Sequence, residues 1–283
     1  MKYLNWIFIV LAVIVAACGG SKGDEREVLV VSIEPQRYML EQIAGDDYRI
    51  VVLMPNGENA ETFEPSMAKR MDVDNSVAYF TIGHLPFENN LKKTAKDGVS
   101  IVKTSEGIEP VYGTHTHHHG HSHGSDVDPH MWTSVRNARV MSYAMTNKLK
   151  ELKPEKADEY QARFEKFDTH LDSLDKSYAE RLVSVKRPFM VWHPSLSYFA
   201  RDYGLKQISV SQDNKENSMQ ELRSVIDNAK TDSVKVFFFQ RDYDARQAEV
   251  VSDGVGARLV PMNPGAYEWE NELNIIVDEL CKP

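Results

Sequence analysis

Six of the ten histidines crowd into nine positions: His115, His117, His118, His119, His121 and His123. Imidazole is the commonest protein ligand for transition metals, so the run THTHHHGHSHG can bind metal. It lies in a Gly-, Ser- and His-rich segment, residues 112–125, with no apolar periodicity. Such a segment cannot bury a face and reads as a mobile loop, its imidazoles free to bind metal weakly in many arrangements. An ordered site needs ligands whose rotamers are held by packing. The run therefore reads as an accessory, and the site is sought at two other histidines. His130 follows Asp128-Pro129 and precedes a helix that Thr133 or Ser134 could cap; His193 closes the buried run PFMVW just before another helix. The carboxyl edge of a parallel strand is where α/β folds place ligands. A single histidine there reads as structural, but two of them together with a His-rich loop point to a metal site.

The elements that must position these residues are legible as short β-rich runs alternating with helical patterns. The runs VLVVSI (28–33), RIVVLM (49–54) and VAYFTI (77–82) alternate with helix-like stretches near 35–45, 65–75 and 86–96. The alternation resumes with PFMVW (188–192), QISV (207–210), VKVFFF (234–239) and ARLVP (257–261), separated by helices near 195–203, 218–230 and 243–254. This is the βαβ pattern of a parallel sheet, repeated in two α/β lobes. Between them, Tyr160, Phe164, Phe167, Leu171, Leu174, Tyr178 and Leu182 recur at steps of three and four, the signature of one apolar helical face. Pro154 suits the start of that helix and Pro188 its stop, which gives roughly 30 residues and about 45 Å. A sheet is expected to cover the stripe; a coiled-coil partner is the competing reading, for which only about four heptads exist. The divisions expected are an N-terminal lobe over 28–150, a bridging helix over 151–187 and a C-terminal lobe over 188–283.

Hydrophobic content of 42% with 27% charged residues is ordinary for a globular protein, and a net charge of −9 argues against a nucleic-acid partner. Lys2 precedes the apolar run WIFIVLAVIVAAC, which ends in Ala16, Ala17 and Cys18. The run is too short to span a bilayer as a helix, and it reads as an export signal over 1–17. VAAC is similar to the lipobox at which bacterial lipoprotein signals are cut before a lipidated cysteine. Cys18 would then carry the lipid, residues 18–27 would form a tether, and the protein would sit on a membrane facing the periplasm or exterior. Cys281, the other cysteine, reads as a packed thiol.

Four segments together resemble the substrate-binding lipoproteins of zinc and manganese ABC transporters, the ZnuA-like family. MPNGENAETFEPS (54–66) is similar to that family's Gly-rich loop ending in His-x-Tyr-x-Pro-Ser. DPHMWTSVRNA (128–138) matches its Asp-Pro-His-x-Trp motif, WHPSLSYFARDYGL (192–205) its His-x-x-x-x-Tyr-Phe-Ala stretch, and 234–264 looks like its final β-α-β segment. The resemblance implies two α/β lobes bridged by one rigid helix with metal in the cleft. It places His130 and His193 on two ligand histidines and Glu61 where the family's first histidine usually stands. Asn263 replaces an Asp often found there, and Gln240 sits where some relatives carry Glu. His130, His193 and Glu61 can hold Zn²⁺, with the fourth position left to water, Gln240, Asn263 or Glu58. Glu61 could instead interact with the free N–H groups of a helix start. The family motif does not use His84 or His170, which read as a surface or supporting residue and a solvated one.

The function expected is that of a monomeric binding protein, not an enzyme, that captures Zn²⁺ and delivers it to an ABC permease. Mn²⁺ is the alternative cargo, since two imidazoles and a carboxylate also suit it, though more weakly. A zinc hydrolase would use the same three ligands, but close-spaced motifs such as H-E-x-x-H are absent. A surface metal-storage or adhesion lipoprotein, in which the histidine run does all the binding, is the third reading.

Overall fold

The computed structural model describes residues 24–60, 62–112, 127–211, 218–240 and 245–283. Cys18, Glu61 and the six clustered histidines lie outside the described residues. In the N-terminal lobe the chain runs β1 (Val28–Val31), α1 (Glu34–Ala44), β2 (Arg49–Val52), α2 (Met67–Asp74), β3 (Ala78–Thr81), α3 (Pro86–Thr94) and β4 (Ser100–Lys103). Its four strands are all parallel, in the order β2-β1-β3-β4. β4 has no counterpart among the runs read from sequence. It is an edge strand whose SIVK residues alternate between half-buried and exposed, so no apolar run announces it.

The C-terminal lobe repeats the arrangement with β5 (Phe189–Val191), β6 (Gln207–Ser209), β7 (Val236–Gln240) and β8 (Arg258–Met262), ordered β6-β5-β7-β8 and again parallel. Its helices are α6 (Ser197–Tyr203), α7 (Met219–Thr231), α8 (Ala245–Val255) and α9 (Trp269–Cys281). Phe189 and Val191 join the large core while Met190 and Trp192 join a second cluster on the other face of this sheet. That is the two-residue alternation of a strand buried on both faces. In each sheet the strand order reverses between the first and third strands of the lobe, which opens a crevice at the carboxyl edge.

Between the lobes stand α4 (Val135–Leu152) and α5 (Ala157–Leu182). Ser134 caps α4, its hydroxyl accepting from Asn137 N at 3.0 Å; Thr133 instead donates to His130 O. Pro154–Lys156 form a 3-10 turn, so α5 has 26 residues, fewer than expected, and a length of about 39 Å. Its stripe is buried as read, with Phe164 and Leu174 half-covered. The cover is not a sheet: α5 packs on α4, α1, α9 and α6. A four-residue link makes α4 and α5 an antiparallel pair, and the sheet faces are already occupied by their own helices. The first half of α5 and the turn before it hold the N-terminal lobe, through Tyr160 and Lys156 on Asp47 and Arg163 on Ala44 O. The second half holds the other lobe, Tyr178 donating to Asn274 and Asp175 accepting from Tyr203. One continuous core consequently runs through both lobes.

One minor expectation is corrected. Cys281 is exposed, its thiol 3.5 Å from Arg181 O, because α9 turns its last residue outward. His170 is exposed, as read, and its Nε2 lies 2.9 Å from both oxygens of Glu270 on α9. No helix among the described residues is long and apolar enough to cross a membrane.

Candidate metal centre

The two histidines singled out by sequence meet in the cleft between the lobes. His130 and His193 are 4% and 3% exposed, and their ring centroids lie 5.1 Å apart at an interplanar angle of 62°. With Zn–N bonds of about 2.0–2.1 Å, one ion between the rings can be reached by a nitrogen of each. His193 follows β5, and Gln240 ends the neighbouring strand β7. Both therefore stand at the reversal point of the C-terminal sheet, where the crevice opens.

His130 owes its orientation to Asp128. Asp128 Oδ1 accepts from His130 N at 2.8 Å and lies 2.8 Å from Nδ1. A carboxylate there holds the proton on Nδ1 and leaves the Nε2 lone pair available to a metal, the carboxylate–histidine–metal arrangement. Burial pushes the Asp128 carboxyl up, but the His130 imidazole, its hydrogen bonds and Ser197 outweigh this and leave it below the usual carboxylate range. The Tyr198 hydroxyl donates to Asp128 O at 2.8 Å, so the C-terminal lobe fixes the Asp128 backbone. The Trp132 ring lies 5.1 Å from that of His130.

The cleft wall is completed by residues 54, 55 and 57–60 after β2 and by Asn263-Pro264-Gly265 after β8. Met54 N donates to Ser32 O, which extends the β1–β2 pairing into that wall. The cavity has a volume of about 50 Å³. A water needs at least about 10–15 Å³ and an organic ligand about 300–1,000 Å³, so the space suits an ion with a few waters. Of the further donors expected, Gln240 and Glu58 line the cleft; Gln240 Oε1 is buried with no hydrogen-bond partner among the described residues. Asn263 lines it too, but its amide is engaged by Asn56 and Gly265. Among the described residues no third His, Cys, Asp or Glu joins the two histidines in a group that could hold a metal.

His84 stands apart from the cleft lining, half-buried, its pKa lowered by burial and then by Lys103 and Lys92. Sequence reasoning did not assign roles to Asp128 and Trp132. The Asp-Pro-His-x-Trp motif was the available signal for both.

The family model for zinc-uptake complex component A, periplasmic, matches residues 29–272. The chain belongs to this family. Among relatives, the high-affinity zinc uptake system protein ZnuA of Bacillus subtilis is 26% identical, over 93% of this chain and 88% of its own. The zinc-binding lipoprotein AdcA of Streptococcus pneumoniae is 27% identical over 93% of this chain, which spans only 55% of AdcA. A crystal structure of ZnuA superposes with a TM-score of 0.83 at 30% identity, covering 91% of this chain and 98% of that one. The family resemblance and the two-lobe α/β fold read from the sequence are thus borne out. These zinc-uptake relatives are named for binding and transport, which does not favour the hydrolase or storage readings.

Proposed function

We infer that the protein is the substrate-binding component of a metal ABC transporter, capturing Zn²⁺ outside the inner membrane and handing it to the permease as a monomer and without catalysis. The observation that carries this reading is the pairing of His130 with His193 at the cleft between two lobes of the zinc-uptake family's fold. His130, His193 and Glu61 are the ligands, with water, Gln240 or Glu58 in the fourth position. The same set holds Mn²⁺ more weakly than Zn²⁺. The core shared by the lobes and the bridging α5 favour release through small tilts and loop shifts when the permease docks, instead of a wide hinge motion. Protein purified without a His-tag and without added metal is expected to contain zinc near one equivalent; manganese in its place would overturn the choice of cargo.

The envelope location follows from the signal over 1–17 and a lipid on Cys18, with residues 18–27 as tether and lobes over 28–150 and 188–283 joined across 151–187. Cys18→Ser is expected to move the protein from the membrane to the soluble fraction. Retention at the membrane would count against lipidation at this residue.

The histidine run, His115 to His123, serves as a collector that raises the chance of meeting a cation beside the ordered site. Deleting residues 114–124 is expected to leave the tight phase of a calorimetric zinc titration unchanged and to remove only weak binding. Loss of the tight phase would mean that the run supplies a ligand.

A further inference from the structure

The corner after β8 is held from several directions. Asn263 N donates to Glu272 Oε2 at 2.9 Å, and Pro264 O accepts from Trp132 Nε1 at 2.7 Å. Trp269 Nε1 in turn donates to Trp132 O at 2.7 Å. Both indoles are buried, so the corner is fastened to the turn that carries His130. Gly265 N donates to Asn263 Oδ1 at 3.1 Å, which orients the amide and sends its Nδ2 the other way. There it donates to Asn56 Oδ1 at 2.5 Å, a contact between residues 207 apart in sequence. Asn56 belongs to the wall that follows β2, on the opposite lobe, and its neighbours Pro55 and Gly57 line the cleft with Asn263. Both ends of the Asn263 amide are therefore occupied. A carboxylate at position 263 accepts only, and could keep the contact only if Asn56 turned its own amide round.

We propose that Asn263 is a positioning residue and not a metal ligand: with Asn56 it latches the 54–60 wall over the His130–His193 pair and sets how long the ion is retained. The proposal rests on the metal-site reading above. A neutral hydrogen bond makes a small net contribution, enough to slow opening and weak enough for a docking partner to break.

The test is stopped-flow release of Zn²⁺ into excess chelator from the metal-loaded full chain, with the absorption spectrum of the Co²⁺-loaded protein as a report on the ligand set. Asn56→Ala and Asn263→Ala are each expected to release metal roughly two- to tenfold faster. The double variant is expected to be no faster than either single one, and the Co²⁺ spectrum of Asn263→Ala to match the parent. Asn56 is exposed, so its variant keeps the fold. A changed Co²⁺ spectrum in Asn263→Ala makes Asn263 a ligand and overturns the proposal, as does an unchanged release rate in Asn56→Ala or acceleration that adds in the double variant. His130→Ala separates the two levels: a tight phase that survives there overturns the site itself.

Discussion

Replacing either His130 or His193 by alanine is expected to weaken tight zinc binding roughly a hundredfold or more. Structural zinc sites bind with about 10–16 kcal/mol over four ligands, so one imidazole carries about 3 kcal/mol, which is about two decades in affinity. The two rings face each other at 5.1 Å and are almost fully buried. Competition against a chromophoric chelator measures the effect, and near-ultraviolet circular dichroism of the metal-free variants checks that the wall is intact. If both single variants compete as the parent does, the pair is not the site.

Asp128→Ala is expected to cost a further class of effect, about 10- to 100-fold in zinc affinity, although Asp128 touches no metal. Its carboxylate holds the proton of His130 on Nδ1 and makes the imidazole a stronger donor. Without it, Nδ1–H has lost its acceptor in a buried position, and the ring is free to turn. Asp128→Asn keeps an acceptor for His130 N and Nδ1 but removes the charge, and is expected to fall between the parent and Asp128→Ala. The same competition assay ranks the three. An Asp128→Ala variant with parental affinity would show that packing against Trp132 alone orients the ring.

Elements whose surroundings repeat along the chain were legible without coordinates. The stripe of α5 recurs with helical period because one face of that helix is buried along its whole length, and β1, β3, β5 and β7 read as apolar runs because helices cover both faces of each sheet. The motifs around His130 and His193 were legible for a different reason: both sit at element boundaries, where prolines and capping residues punctuate the pattern. What lay beyond the sequence was whatever depends on which element stands beside which. An apolar stripe states that a face is covered but not by what, and helices proved to cover α5 where a sheet had been expected. β4 is half-exposed and carries no apolar run. His130 and His193 are 63 residues apart, and only strand order together with the α4–α5 pair brings their rings to 5.1 Å. The Asn56–Asn263 contact is the extreme case: two polar residues in turns, with no periodicity to mark either, become partners because the carboxyl edges of two separate sheets face one cleft.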